Sequence, residues 1–549
     1  MSHLAWAHEH PRPQFRRESC FILHDGWTLN GRPIRIPWPP QAALSGYDGT
    51  IGDVLYYNAA FTLPEGFLPP EHRAILHFGA VDQVAEVFLN GVAVIRHEGG
   101  YLPFSADVTA SLRPGENRLE IRATDTLSRR YPYGKQHKRP HGMWYTPVSG
   151  IWQPVWLEAV PAQDEVTSLR ITPDRTGITL EVEAGGGEYT VAVPLPEGGT
   201  LTAVSREKRL RLELPHPRLW SPRDPFLYDL TVATAADRVE SYFALREVTL
   251  EEREGHTRLC LNGQPVFLHG VLDQGYFHDG LYLPAGPEAY EQDVLRMKAL
   301  GFNTLRKHIK IEPEAFYYAC DRLGMLVVQD MVNSGGYNYF FDTVVPTVLT
   351  KKRFDRFPGS GARRAFFEAH TRETLAHLYN HPSIIGYTIF NEGWGQYDAD
   401  RLYRMCKAAD PTRFYDSTSG WFARKESDAQ SEHVYFRNKV LEAKRPGQFL
   451  FLSECGGYTR RVEGHVDGGR KNYGYGGADT EAALTEKIRV MYRDMVLPSI
   501  PLGLCGCVYT QLSDVEGEIN GLYTYDWEVC KVDPVVMEQI AASIDSAVK

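Results

Sequence analysis

No apolar stretch in the 549-residue chain reaches the roughly 20 residues a helix needs to cross a bilayer, so a helical membrane protein is excluded. The opening segment, MSHLAWAHEHPRPQFRRESC, lacks the continuous apolar core and small-residue cleavage site of a secretory signal, and a cytoplasmic location is expected. Cysteine is sparse: eight residues lie scattered from Cys20 to Cys530 without a CxxC pair, which argues against both a disulfide framework and a zinc ribbon. Cys505 and Cys507, two apart, are expected on one side of a strand as reduced core residues. Nineteen histidines are present, but no HExxH and no paired-His helix, so neither a metal nor a cofactor is expected. Long basic runs are missing too, and a net charge of −10 argues against nucleic acid or an anionic membrane surface as partner. There is no internal repeat and no low-complexity tract.

What is present is length enough for about three or four cores. Aromatic residues make up 12%, with ten Trp and thirty Tyr, a content that suits stacking on sugar faces and equally suits all-β cores. Residues 1–160 read as short alternating strands punctuated by Gly, Pro and Asn. The clearest hairpin is AEVFLNGVAVIRH, where Asn90-Gly91 supplies the two positive-φ positions of a type I′ turn. SGIWQPVWLEAV then reads as the strand that closes this sandwich. Residues 161–248, with TSLRITPD, GITLEVEA, EYTVAVPL, RLRLELP and LYDLTVATA, read as a second, smaller sandwich. From 249 to 549 strands alternate with helices, and the eight strands are near-continuously apolar, which predicts a parallel (β/α)8 barrel.

In such a barrel, chemistry sits at the C-terminal ends of the strands. Those ends carry Asp273 and Gln274, Arg306 to His308, Gln329 and Asp330, Asn391 and Glu392, Asp416 and Ser417, His433 and Tyr435, Glu454, and Tyr509 with Gln511. Two apolar runs, IIGYTIF and FLFL, deliver Glu392 and Glu454 to one rim from the fourth and seventh strands. Carboxylates on opposite sides of a barrel mouth suit retaining glycoside hydrolysis, in which one protonates the leaving oxygen and the other attacks.

The same residues carry a family resemblance. NEGW at 391–394 and SECGG at 453–457 resemble the acid/base and nucleophile motifs of glycoside hydrolase family 2. LNGQPVFLHGV and GFNTLRKH resemble that family's first two barrel strands, SGIWQPVWLE the end of its jelly roll, and LWSPRDPFLYDLTV its immunoglobulin-like sandwich. The implied architecture is jelly roll, immunoglobulin-like sandwich and TIM barrel. The implied roles are acid/base for Glu392, nucleophile for Glu454, a sugar 2-hydroxyl contact for Asn391, support of the nucleophile's charge by Arg306 and a bond to the nucleophile from Tyr435. Asp273, His308, Asp330 and Tyr509 join the candidate substrate-binding set, with His433 as a further sugar partner. Trp394 and Trp421 are candidates either for stacking on sugar or for core packing.

Two departures stand out. Cys455 follows Glu454 where the family commonly has an aromatic. Glu518 and Asn520, in GEINGLYTYDW, occupy the segment where bacterial β-glucuronidases of the family carry an Asn-x-Lys pair for the sugar carboxylate. The substrate expected is therefore a β-galactoside, cut from its non-reducing end. A β-uronide, galacturonide included, is the alternative, through Lys307, Lys310, Arg424 or Arg437. A noncatalytic carbohydrate-binding protein is the rival from another class, but binding alone requires no pair of strand-end glutamates. Self-association into a homo-oligomer is left open.

Overall fold

In the computed structural model, Trp6, Phe340, Asp355 and residues 10–338, 360–467 and 471–548 are described. Most of the first nine residues and of the insertion after the third barrel strand lies outside them. No helix among the described residues is long and apolar enough to cross a membrane.

Residues 20–161 fold as an antiparallel sandwich of a six-stranded and a four-stranded sheet, with a further two-stranded pair formed by Val81–Asp82 and Gly150–Ile151. Strict alternation builds its core: in Val54–Thr62, Leu55, Tyr57, Ala59 and Phe61 point inward against Leu76, Phe78, Leu119, Val155 and Leu157. The Asn90-Gly91 hairpin forms as expected, with φ of 54° and 81°, between Val84–Leu89 and Val92–Glu98. Residues 166–243 form a second sandwich of three and four strands. Two of its strands, Thr200–Ser205 and Arg238–Phe243, are not evident in the sequence pattern. Thr200–Ser205 is an edge strand with no buried residue, so it carries no inward apolar stripe to recognise.

A three-stranded meander, Val248–Arg253, His256–Leu261 and Gln264–Pro265, precedes the barrel. Its Leu259 and Leu261 pack with Leu268, Leu326, Val328, Ile385, Phe451 and Val508, filling the barrel interior opposite the functional rim. The eight barrel strands are Leu268–Asp273, Thr304–Lys307, Leu326–Asp330, Ile384–Asn391, Phe414–Ser419, Ala429–Val434, Phe449–Gly456 and Leu504–Thr510, and the last pairs with the first. All ladders are parallel and join sequence neighbours. Between the fifth and sixth strands, among the described residues, a single backbone bond from Asp428 N to Tyr415 O replaces a ladder. Helices Glu288–Ala299, Glu314–Leu323, Gly361–His377, Ala399–Ala409, Glu481–Met491 and Pro534–Val548 cover the outside.

The eighth strand corrects one expectation. Opposite the seventh strand, Leu450 and Leu452 pair with Leu504 and Cys507, so the eighth strand holds an extra residue there. This bulge flips the facing of the residues beyond it. Cys505 packs in the barrel interior, whereas Cys507 lies on the outer layer against Tyr492, and the two cysteines do not share a side. All eight cysteines are free.

Buried ion pairs tie the units together. Glu158, fully buried on the last long strand of the first sandwich, accepts from Arg12 and Arg17, and Arg17 also binds Asp237 of the second sandwich. Burial alone would raise the Glu158 carboxyl, but the Arg12 and Arg17 charges outweigh it and bring it down to about 2. A depressed carboxyl stabilises the fold above its ordinary range, and that contribution disappears as pH falls from about 4.5 towards 2. Glu158→Ala leaves the half-buried Arg12 guanidinium without its carboxylate and Arg17 with Asp237 alone, and is expected to cost ~3 kcal/mol in chemical denaturation at pH 7, with a smaller loss at pH 3. Equal losses at both pH values would contradict this assignment.

Candidate active site

The rim is organised by one guanidinium. Arg306, at the end of the second barrel strand, is 0% exposed. Its Nε donates to Asp330 Oδ1 at 3.0 Å, its Nη1 to Glu454 Oε1 at 3.0 Å and Ser453 O at 2.9 Å, and its Nη2 to Asn391 Oδ1 at 2.8 Å. Four strand ends thus converge on one planar cation. The bond to Oδ1 fixes the Asn391 amide and leaves its NH2 group as the donor.

Glu454 receives a second bond from the Tyr435 hydroxyl. Its carboxyl lies well below the ordinary range: burial pushes upward, and the charges facing it from His433 and Arg306 together with the Tyr435 bond overcome that push. Glu392 is held differently. It follows the fourth strand in the left-handed region, φ 53°, and precedes Gly393 at φ 73°, and its N–H donates to Ser419 O. A non-glycine residue there costs about 1–3 kcal/mol, a strain typical of functional positions. The turn carries the side chain across the mouth to His433 Nδ1, 2.8 Å away. Burial raises the Glu392 carboxyl, the His433 bond opposes that, and the neighbouring charge of Glu454 adds to the rise.

One oxygen of Glu392, one of Glu454 and a nitrogen of His433 all lie within 4.8 Å of one another. The three have the chemistry of metal ligands, but the charge balance a cation would give Glu454 is supplied by Arg306. Two coupled carboxyls pushed apart in titration, one to hold a proton and one to stay ionised, make an acid and nucleophile pair chemically available.

The other candidates sort by burial. His308 places Nδ1 2.7 Å from Asp330 Oδ2, and burial brings the ring down to about 4, so it is neutral near pH 7 with Nε2 as an acceptor. Asp330 (1% exposed) is sealed with Arg306 behind the carboxylates, which corrects the expectation that Asp330 touches the substrate, while Arg306, expected to support the nucleophile's charge, pairs with Glu454. Asp273 has both oxygens engaged, one by Lys307 at 2.5 Å and one by Gly275 N at 2.8 Å. Trp421 meets His433 edge to face at 5.5 Å. Trp394 donates to Gly335 O and packs among Tyr133, Trp144 and Tyr337, the packing alternative of the two.

Two expectations fail. Tyr509 is 1% exposed in the outer layer, because the eighth-strand bulge turns it away from the mouth, and its ring lies where a side chain on Gly456 would be. His433 has no nitrogen left for a sugar, since Nε2 meets Ser419 Oγ at 2.7 Å while Nδ1 meets Glu392. Sequence reasoning also missed the hydroxyl chain behind it, Ser419 to Ser453 at 3.1 Å and Ser453 to Ser431 at 2.5 Å. Serines at strand ends carry no signal that distinguishes them from ordinary rim residues. Of the cations considered for a uronate, Lys307 is paired with Asp273 and Glu312, Lys310 with Glu312, and Arg424 lies 3.8 Å from Asp355 and Asp400. Arg437 is on an exposed loop beyond the sixth strand.

Comparison with known proteins finds one family across the three units. Residues 52–152 match the family model described as glycosyl hydrolase 2 galactose-binding domain-like, 165–246 that of glycosyl hydrolases family 2, and 254–442 that of the glycosyl hydrolases family 2 TIM barrel domain. A β-galactosidase of Aeromonas hydrophila is 31% identical over 391 residues, which is 65% of this chain but only 35% of that protein's length. Among solved structures, a β-D-glucuronidase of Dictyoglomus thermophilum superposes with a TM-score of 0.75 at 19% identity, covering 96% of this chain and 98% of that one. A β-galacturonidase of Eisenbergiella tayi superposes with a TM-score of 0.69 at 19% identity, covering 97% and 98%. At such identities the structural likeness speaks for the fold alone.

The opposed titrations can be measured directly. In carboxyl-carbon NMR, Glu392 should titrate above the usual glutamate range and Glu454 below it, and His433→Asn should raise both midpoints. Equal midpoints in the wild type, or Glu454 above Glu392, would reverse the assignment.

Proposed function

The chain belongs to glycoside hydrolase family 2, and from that membership and the opposed titrations of Glu392 and Glu454 we propose that it is a retaining exo-β-glycosidase, with β-galactosides as its preferred substrates. The observation that carries the reading is the close approach of the two carboxyls, with oxygens within 4.8 Å. Retaining enzymes hold theirs about 5–5.5 Å apart, whereas inverting enzymes leave about 6.5–9.5 Å for a water.

In the first step Glu454, kept ionised by Arg306 and Tyr435, attacks the anomeric carbon while protonated Glu392 gives its proton to the leaving oxygen. The carbon–oxygen bond to the aglycone breaks and an α-linked glycosyl ester forms on Glu454. Glu392, now a carboxylate, takes a proton from water, whose oxygen attacks the same carbon and restores the β configuration. Asn391 offers its NH2 group to the 2-hydroxyl, and His308 Nε2 accepts from a further hydroxyl. Eight free cysteines support a reducing, cytoplasmic setting.

Galactoside is preferred over uronide because Glu518 and Asn520 stand in the segment of the uronate-gripping pair, and because Lys307 and Lys310 are already neutralised by Asp273 and Glu312. Loss of a charge-assisted bond worth ~1.5–3 kcal/mol makes glucuronide at least about tenfold poorer in kcat/KM than galactoside. A β-uronidase is the second reading, and a tenfold preference for glucuronide or galacturonide among p-nitrophenyl glycosides would replace the first with it.

Azide separates the two glutamates. Glu454→Ala should lose several orders of magnitude on every substrate, and azide attacking the substrate directly should yield the α-glycosyl azide. Glu392→Ala should still be glycosylated by an activated aryl glycoside, and azide should release a β-glycosyl azide. Exchanged anomers would swap the roles; near wild-type activity in both variants would sink the hydrolase reading.

A further inference from the structure

Around the barrel mouth the buried cations are matched inside the protein. Arg306 has Glu454 and Asp330, Lys307 has Asp273 and Glu312, Lys310 has Glu312 and two carbonyls, and Lys531 has Asp514 and Ile519 O. Lys135 differs. Among the described residues its half-buried ammonium has no ion pair and no hydrogen bond, only the Tyr145 ring 5.9 Å away.

Lys135 belongs to the first sandwich, yet its surroundings fix it at the barrel. Tyr133 donates from N to Asn333 O at 3.1 Å and from its hydroxyl to Gly335 O at 2.7 Å, both beyond the third barrel strand. Gly134, at φ 64°, is wedged so closely that a Cβ would stand 2.8 Å from the Tyr101 hydroxyl and 3.1 Å from Ile309 O. Gln136 is fully buried, with its amide on Asp82 and Tyr101 and its oxygen on Val148 N. Held on both sides, with Gly134 packed against Ile309 O one residue beyond His308, Lys135 is fixed at the rim, and its positive charge adds to the downward push on the Glu392 carboxyl and the His308 ring. The ring beneath it leads to an acid: the Tyr145 hydroxyl donates to Glu518 Oε2, and Asn520 Nδ2 donates to Oε1 at 3.1 Å.

We propose that Lys135, from the first sandwich, and Glu518, from the loop after the eighth barrel strand, form a paired donor and acceptor that grips vicinal hydroxyls of a neutral pyranose in the catalytic mouth. The inference rests on the glycosidase reading above. An ammonium only donates and a carboxylate only accepts, whereas a hydroxyl does both, so two neighbouring hydroxyls satisfy the pair together. Each Glu518 oxygen keeps a lone pair after its internal bond. A uronate would satisfy Lys135 but bring a second anion next to Glu518.

The test compares wild type with Lys135→Met, which keeps the aliphatic stem, Lys135→Arg, which keeps the charge, and Glu518→Gln. Affinity for the neutral-sugar mimic 1-deoxygalactonojirimycin is measured by calorimetry, and kcat/KM on p-nitrophenyl β-galactoside and β-galacturonide by assay, with melting midpoints recorded for each protein. Lys135→Met should lose at least about tenfold in iminosugar affinity and in galactoside kcat/KM at an unchanged melting midpoint, and Lys135→Arg should recover most of both. Glu518→Gln should narrow the discrimination against galacturonide. The proposal is overturned if Lys135→Met binds and turns over like wild type, if it loses more on galacturonide than on galactoside, if it melts early with Lys135→Arg equally impaired, or if wild type binds no iminosugar. Binding that depends on Lys135 in a protein without turnover would keep the sugar site and reject only the hydrolase reading.

Discussion

The site depends on the buried fork of Arg306. One planar cation holds Glu454, Asp330, the Ser453 carbonyl and the Asn391 amide, and so fixes the ends of the second, third, fourth and seventh barrel strands relative to one another. No lysine has the directed donors to make these bonds at once. A charge wholly removed from water is tolerable because Glu454 and Asp330 neutralise it, and the same contacts keep Glu454 ionised against its burial. Structural order and chemical readiness therefore come from one residue.

Around that fork each layer is set by a neighbour. The strained backbone at Glu392 is held by its N–H bond to Ser419, whose hydroxyl orients His433, and His433 in turn reaches Glu392. Gly420 leaves room for the His433 ring, since a Cβ there would stand 2.7 Å from Nδ1. The opposite end of the barrel is stopped by Leu259 and Leu261, so the mouth opens on one side only. The first sandwich contributes more than a scaffold, because its segment around Tyr133 to Tyr145 is fastened to the barrel rim at Asn333, Gly335 and Glu518.

Much of this was legible because apolar barrel strands announce their polar ends. IIGYTIF and FLFL pointed to Glu392 and Glu454 without any contact being known, and Asn90-Gly91 announced its hairpin by the backbone it requires. The eighth-strand bulge was not legible: an inserted residue changes facing without changing composition, and it misplaced both Tyr509 and the Cys505–Cys507 pair. Pairing was equally hidden. Lys307 and Lys310 look like free rim cations in the sequence, and only the fold brings Asp273 and Glu312 to them, while Lys135, more than a hundred residues before the barrel, has no acid beside it among the described residues.

The central claim is that Glu454 attacks carbon while Glu392 manages the proton, which makes the reaction one of retention. Proton NMR of the first sugar released from p-nitrophenyl β-galactoside, or from whichever β-glycoside is cleaved fastest, recorded before mutarotation, tests it most directly. Retention predicts that the β-anomer appears first and the α-anomer grows in only as mutarotation proceeds; an initial α-anomer would mean single displacement by water and would contradict it.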